Sequence, residues 1–157
     1  MAAGRSIRNV MENKLDLLVK SAKEFLGKPY RYGAKPEEAP EVFDCSSFTQ
    51  YLYKKIGIEL PRKAIDQAAL GREIDPGPNQ LQVGDLIFIR GKWGRYNPDY
   101  PQGIGHVAMY VGDEKVINAR WKSDNEGGGS VIEEPVDDFL SRDDLTVIKR
   151  IIRGDNK

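Results

Sequence analysis

Hydrophobic residues recur along this chain at two periods, first that of a helix and then that of a strand. Over residues 10–26 they lie three or four positions apart, which predicts an amphipathic helix that stops at Gly27. A second hydrophobic stripe runs from Phe48 to Gly57, and a short third helix is predicted over residues 63–70. Cys45 is therefore expected at or near the first turn of the second helix.

The rest of the chain contains short segments rich in β-branched and aromatic residues, bounded by Gly, Pro or Asp. These predicted strands span residues 85–90, 106–111, 115–120, 130–134 and 145–153. Short turns between strands favour antiparallel pairing. We expect an α+β fold, with an antiparallel sheet of about five strands and the N-terminal helices packed on one face.

Length and charge narrow the possible functions. The 157 residues fit a single domain, residues 1–157, with a core over about 15–152. Equal numbers of basic and acidic residues, 24 of each, argue against a nucleic-acid partner. One cysteine and one histidine cannot supply the ligands of a zinc site, so no metal and no cofactor are expected. We expect a monomer.

The N-terminal segment is basic but lacks the continuous apolar core of a secretory signal, and no apolar run is long enough to span a membrane. As written, the chain is expected to be cytoplasmic and not inserted in a membrane. A secreted or cell-wall location stays open, because a mature form without its signal would read the same.

The single cysteine and the single histidine are candidates for a nucleophile and its base. An isolated cysteine is most often an inert buried residue, and a thiol with its ordinary pKa near ~8.5 is only a few per cent ionised. We expect an imidazolium at His106, about 4 Å from Cys45, to lower that pKa, since such a contact is worth about 4 kcal/mol before desolvation. Asp44 is expected to accept backbone hydrogen bonds at the helix start, although its charge opposes thiolate formation.

Asn118 follows His106 by twelve positions, across a turn predicted around residues 112–114. A two-residue turn places the two side chains on opposite faces of the sheet. A three-residue turn, which pairs Val111 with Lys115, makes them diagonal neighbours on one face. In that case the amide oxygen accepts the Nδ1 proton of His106 and leaves Nε2 to serve the thiol. The sequence leaves this register open, and it also leaves open which face meets the second helix.

Six segments together carry a resemblance to a known family. They are residues 28–33 (KPYRYG), 43–48 (FDCSSF), 57–62 (GIELPR), 83–88 (VGDLIF), 105–112 (GHVAMYVG) and 116–119 (VINA), with Gln67 and Gly71 between the third and the fourth. In this order and at these spacings they resemble the NlpC/P60 family of cell-wall cysteine peptidases. The resemblance covers about residues 15–152.

This resemblance implies a papain-like core and a cysteine endopeptidase that hydrolyses the peptide stem of peptidoglycan through a thioester, commonly between D-glutamate and the next diamino acid. The expected partners are stem peptides or muropeptides. The implied catalytic residues are Cys45, His106 and Asn118. A second group is implied to form the oxyanion and substrate sites: Tyr30, Asp44 and Ser46.

Three departures from the family pattern affect the expected cleft. Ser47 replaces the usual glycine and is expected to narrow the floor beside the nucleophile. Asn118 replaces the usual second histidine. The loops over residues 34–42 and 91–103 are long and are expected to reshape the cleft.

The aromatic residues in the loop over residues 91–103 can be interpreted in two ways. Trp93, Tyr96 and Tyr100 form one wall of a peptide-binding groove, or they anchor the loop; we favour the groove. Tyr32 is expected to be a packing residue. Two other functions remain open for the whole chain: a related amidase or acyltransferase that acts on another amide, and a catalytically silent peptidoglycan-binding module.

Overall fold

The first helix is longer than its hydrophobic pattern predicts. The computed structural model describes residues 3–77, 79–123, 125 and 127–152, with side chains from residue 8 onward. Helix α1 (Ala3–Glu24) buries Leu18 and Ala22 completely, and the chain turns away at Gly27 with a φ of +91°. Glycine adopts this left-handed conformation without steric cost, which explains why the helix ends where predicted. No helix in the described part of the chain combines the length and apolarity needed to cross a bilayer.

Helix α2 (Cys45–Lys54) begins at the candidate nucleophile because Asp44 caps it. The Asp44 carboxylate accepts the Ser47 N–H at 2.8 Å, and the Ser47 hydroxyl accepts the Asp44 N–H at 2.9 Å. This reciprocal pair satisfies two backbone donors and holds the first turn in place. The predicted position of Cys45 and the capping role of Asp44 are confirmed.

Helix α3 (Ala64–Gln67) is shorter than predicted. Beyond it, the N–H groups of Ala69 and Leu70 bond to carbonyls three residues back rather than four. The predicted third helix therefore ends in a tighter 3₁₀-type turn.

Six strands form one fully antiparallel sheet in the order β1-β6-β2-β3-β4-β5. The strands are β1 (Arg72–Glu73), β2 (Leu86–Ile89), β3 (His106–Gly112), β4 (Lys115–Arg120), β5 (Ser130–Pro135) and β6 (Leu145–Arg150). The predicted α+β fold and its five strands are confirmed. Strand β1 is additional, because two exposed polar residues at the sheet edge carry no hydrophobic pattern.

The two faces of the sheet are covered by different parts of the chain. One face packs against the N-terminal helices in a core that includes Phe48, Phe88 and Val107. The other face packs Ala108 in a second core with Phe139, on the short helix α4 (Asp137–Leu140). Since side chains alternate along β3, His106 shares its face with Ala108, which is the face away from α2.

The β3–β4 hairpin combines features of the two turns considered above. Its loop has two residues, Asp113 and Glu114, with φ of +53° and +60°, as a tight hairpin requires. A bulge between Tyr110 and Gly112 then shifts the register by one residue, so that Met109 pairs with Ile117. This register places Ala108 opposite Asn118, as the three-residue alternative predicts, and so puts His106 and Asn118 on one face.

Candidate active site

The thiol of Cys45 is 8% exposed and lies against the start of β3. Its Sγ donates to the Gly105 carbonyl oxygen at 3.9 Å, and the backbone of Val107 lowers the pKa of the thiol. These two residues flank His106 in the chain. The fold therefore brings the sulfur of α2 against the backbone on both sides of the histidine.

Burial favours the neutral form of both candidate catalytic groups. Burial, followed by the charge of Asp44, raises the pKa of the Cys45 thiol to about 12, while Val107 and Arg62 act in the opposite direction. Burial also lowers the pKa of His106 to about 4. Within the described residues no hydrogen bond joins thiol and imidazole to offset this desolvation. These shifts oppose the expected pair of imidazolium and thiolate in the resting site, which stays a prediction.

The imidazole of His106 is held from two sides. Its Nε2 lies 2.6 Å from Oδ1 of Asn118, whose side chain is completely buried, and its ring stacks on Phe139 with centroids 6.1 Å apart. The structure brings His106 and Asn118 together as expected, but the contact is at Nε2, not at the predicted Nδ1. An amide oxygen can only accept, so this contact places the proton on Nε2 and leaves the lone pair on Nδ1.

A second layer of hydrogen bonds lies behind Asn118. Its Nδ2 donates to Glu134 Oε2 at 2.9 Å, and Arg120 Nη1 donates to Glu134 Oε1 at 2.7 Å. Glu134 and Arg120 were not among the site residues that the sequence predicted. Polar residues recur among apolar residues along β4 and β5. This pattern places Arg120 and Glu134 beside Asn118 only when the β4–β5 register is known.

Two adjoining cavities form the cleft. A cavity of about 250 Å³ is lined by Cys45, and one of about 460 Å³ is lined by His106. Tyr30, Trp93 and Gly105 line both. The nucleophile and the histidine thus open into neighbouring compartments that meet at these three residues.

Tyr30 lies at this junction, 8% exposed. Burial, followed by the charges of Cys45 and Asp44, raises the pKa of its hydroxyl above the ordinary value. Because the hydroxyl stays protonated, it can donate a hydrogen bond in the cleft. Its backbone is fixed by a donation from the Tyr30 N–H to the Gly129 carbonyl at 3.1 Å.

Asp44 and Ser46 also line the Cys45 cavity, and both bind Arg62. The guanidinium donates to Asp44 Oδ2 at 2.6 Å and to the Ser46 hydroxyl at 2.8 Å. Sequence reasoning missed Arg62 as a site residue, although it recognised the GIELPR segment that contains it. The structure therefore adds a cation to the polar group predicted beside the nucleophile.

Ser47 does not narrow the cleft. Its side chain is 2% exposed, bonds to the Asp44 backbone and lines neither cavity. The expected effect on the floor is wrong, because the hydroxyl completes the helix cap instead. Residues 34–42 likewise are absent from the described lining of both cavities, whereas residues 91–103 contribute to both.

An aromatic rim borders the cleft, formed by Tyr32, Trp93 and Trp121. The ring centroids of Tyr32 and Trp93 are 5.0 Å apart, and those of Trp93 and Trp121 are 6.4 Å apart. The ammonium of Lys92 lies 5.5 Å and 5.1 Å from the two indole rings. Tyr32, expected as a packing residue, is 54% exposed and lines the Cys45 cavity.

The other aromatic residues of the 91–103 loop lie away from the cleft. Tyr100 donates its hydroxyl to the Ala68 carbonyl at 2.7 Å and packs against the core, so it anchors the loop. Tyr96 is 62% exposed and lines neither cavity. Trp93 alone of the three fits the predicted groove wall.

The cleft is basic although the chain has no net charge. Three described acidic residues line the two cavities: Asp44, Glu134 and Asp138. Seven basic residues line them: Arg62, Lys63, Lys92, Arg95, Arg120, Lys122 and Arg142. This excess favours a substrate that carries carboxylates.

Comparison with known proteins identifies one family. The sequence model of the NlpC/P60 family matches residues 27–140. The chain is 40% identical over 103 residues to a Listeria innocua protein named "Probable endopeptidase p60", which covers 66% of this chain and 19% of that protein. It is 36% identical over 115 residues to a gamma-D-glutamyl-L-lysine dipeptidyl-peptidase of Bacillus cereus, covering 73% of this chain and 31% of that protein.

The fold agrees with these sequence matches. A crystal structure of an NlpC/P60 family protein from Bacillus cereus superposes with a TM-score of 0.69 at 30% identity, over 88% of this chain and 40% of that one. The matched part of this chain spans less than a third of the length of each of the two curated relatives named above.

Proposed function

Because the chain belongs to the NlpC/P60 family, we propose that it is a cysteine endopeptidase that hydrolyses the peptide stem of peptidoglycan. The proposed scissile bond joins D-glutamate to the diamino acid that follows it. One observation carries the proposal: the thiol at the head of α2 contacts the backbone on both sides of His106, whose Nε2 is bound by Asn118.

In the proposed first step, Cys45 Sγ attacks the amide carbonyl as its proton moves to Nδ1 of His106. A neutral imidazole is the form that can accept this proton, and the lowered pKa of His106 keeps it neutral. The imidazolium then forms only during reaction, with its Nε2–H held by Asn118. The positive charge on His106 and the negative charge on the substrate oxygen therefore form in the same step.

The developing oxyanion has two proposed donors. The N–H of Cys45 is the first of α2, and N–H groups at this position have no carbonyl partner within the helix. The protonated hydroxyl of Tyr30 lines the same cavity. Both match the preorganised donors that stabilise tetrahedral intermediates.

The second step completes the turnover. The His106 imidazolium protonates the leaving amine, which breaks the C–N bond and leaves a thioester on Cys45. Water then attacks the thioester with His106 again as base, and the thiol is regenerated. No cofactor takes part in this scheme.

The substrate assignment rests on charge and on relatives. A glutamate linked through its side chain keeps its α-carboxylate, and stem peptides end in a further carboxylate, so an anionic ligand meets a cleft with seven basic and three acidic lining residues. One relative's name states action on a γ-D-glutamyl-L-lysine bond. Asp44, Ser46 and Arg62 form the proposed polar binding group beside Cys45.

Digestion of a defined stem tripeptide, L-Ala-γ-D-Glu followed by a diamino acid, tests this proposal when products are identified by mass spectrometry. We expect the wild type to release L-Ala-γ-D-Glu. Cys45→Ala should release none while it keeps the wild-type thermal unfolding midpoint. Cleavage by Cys45→Ala would refute the nucleophile, and cleavage of a different amide by the wild type would favour the amidase alternative. Binding without any cleavage would favour the silent module.

A further inference from the structure

Glu134 lies at the far end of a hydrogen-bonded chain that begins at the candidate base. The chain runs from His106 Nε2 to Asn118 Oδ1 at 2.6 Å, and from Asn118 Nδ2 to Glu134 Oε2 at 2.9 Å. We propose that Glu134 is a positioning residue that sets which end of the Asn118 amide faces His106, and so fixes the imidazole proton on Nε2. The inference rests on the proposed function, in which His106 is the base.

The argument follows from what each group can donate. The two ends of an asparagine amide have nearly the same shape, but one donates and the other accepts. An ionised carboxylate only accepts, so Glu134 selects the NH₂ end of Asn118. The amide oxygen is then turned to His106, where it can bind only a protonated Nε2. The lone pair is consequently left on Nδ1.

The carboxylate itself is held by two different donors. The β4–β5 register pairs Val116 with Glu134, which makes Glu134 a diagonal neighbour of Asn118 on the same face. Its second oxygen accepts from Arg120 at 2.7 Å, and its side chain is only 13% exposed. Rotation of the carboxylate would break one of these bonds, so the acceptor stays aimed at Asn118.

Glutamine at position 134 separates this role from simple packing. Its side chain has nearly the same size but only one acceptor oxygen, for which Asn118 and Arg120 must compete. If Glu134 serves only as an ion-pair partner of Arg120, then Glu134→Gln and Arg120→Gln should have the same effect. If Glu134 orients Asn118, only the change at 134 should disturb the histidine.

The tautomer of His106 can be read directly by ¹⁵N NMR, because the chain contains a single histidine. In the wild type and in Arg120→Gln we expect the proton on Nε2. In Glu134→Gln we expect a mixture of the two tautomers. Glu133→Gln is the matched control, since it removes the same charge from the adjacent, exposed position and should leave the tautomer unchanged. An unchanged tautomer in folded Glu134→Gln overturns the inference.

A double variant keeps the test valid if Glu134→Gln folds poorly. In Glu134→Gln/Arg120→Gln the single amide oxygen is no longer contested by the guanidinium, so we expect the Nε2 tautomer to return. A persistent mixture of tautomers in that variant counts against the inference. These measurements need no substrate, so they stand even if the proposed bond specificity fails.

Kinetics supply the link to catalysis. We expect Glu134→Gln to lower kcat about 10-fold with little change in KM, since it removes the orientation of one hydrogen bond to the base. In an Asn118→Ala background the same change should have almost no further effect, because the residue through which Glu134 acts is gone. A full 10-fold loss in that background would show that Glu134 acts by another route.

Discussion

His106 Nε2 lies 2.6 Å from Asn118 Oδ1, although the two residues belong to different strands and are twelve positions apart in the chain. A two-residue turn alone would separate them onto opposite faces. The bulge between Tyr110 and Gly112 supplies the one-residue shift that joins them. The geometry of the proposed base thus depends on an irregularity in a hairpin.

Removal of this contact should slow turnover more than binding. In Asn118→Ala we expect kcat to fall about 10- to 100-fold, as for loss of one hydrogen bond to a group that becomes charged in the reaction. Asn118→His, which restores a polar ring nitrogen at the same position, should recover much of the loss. Steady-state kinetics on the stem tripeptide provide the measurement, and equal activity of wild type and Asn118→Ala would contradict the assignment.

The pH dependence of stability should report the partly buried histidine, whose pKa is lowered. The pKa of folded His106 is about 4, below the ordinary 6.5, so the unfolded chain binds the proton first as pH falls. Its contribution to stability is therefore complete above the unfolded value and is lost as pH falls from about 6.5 towards about 4. At about pH 5 the loss is about 2 kcal/mol.

Urea unfolding of wild type and His106→Gln at about pH 7 and about pH 5 isolates this effect, because the carboxylates titrate in both proteins. We expect the wild type to lose the additional stability on acidification. The opposite slope, with the wild type gaining relative to His106→Gln, would mean that folding raises the proton affinity of His106 and would contradict its lowered pKa.

Removing the charge of Asp44 should make the thiol easier to ionise. Asp44 raises the pKa of Cys45, and asparagine caps a helix about as well as aspartate. We expect Asp44→Asn to alkylate faster with iodoacetamide at a given pH, at the chain's one cysteine. Asp66→Asn, which removes an exposed charge from α3, is the control and should leave the rate unchanged.

Removing Arg62, the cation paired with Asp44, should make the Cys45 thiol harder to ionise. Arg62→Met leaves a carboxylate that is 10% exposed without its 2.6 Å cation, which we expect to destabilise the fold by about 2 kcal/mol. Arg62 also lowers the pKa of Cys45, so thiol alkylation should slow. Chemical denaturation and the same alkylation assay test both effects; a variant as stable as wild type with a faster thiol would contradict them.

The aromatic rim should act on substrate binding. We expect Trp93→Ala to raise KM for the stem peptide about 5- to 10-fold with a small change in kcat, since Trp93 lines both cavities without touching the proposed proton path. Tyr96→Ala removes an exposed aromatic ring from the same loop but from outside the cleft. Equal effects of the two variants would show that the loop, not the rim, determines binding.

The sequence predicted the fold well where hydrophobic periodicity or a capping residue determines structure. The five main strands and the position of Cys45 after Asp44 are examples, since each depends on local pattern. Strand β1 has no such pattern. Its two polar residues are ordered by pairing with β6, a contact distant in sequence.

The sequence predicts the residues of the candidate site better than it predicts the contacts between them. Motif and spacing indicate Cys45, His106 and Asn118, but which ring nitrogen meets the amide depends on the side-chain rotamer of the histidine. The directions of the two pKa shifts oppose the expected ion pair, since they depend on burial, which is set by packing from both faces of the sheet. Arg62 required knowledge of a tertiary contact across eighteen residues.

The most direct test of the proposed chemistry is capture of the acyl-enzyme. Acid quenching during turnover of the stem tripeptide, followed by intact-protein mass spectrometry and peptide mapping, should find the acyl fragment of L-Ala-γ-D-Glu attached as a thioester to Cys45, the chain's one cysteine. The contradicting result is release of this dipeptide with no acyl group on Cys45. Rapid-quench samples, taken under conditions where the thioester accumulates, must also lack that group.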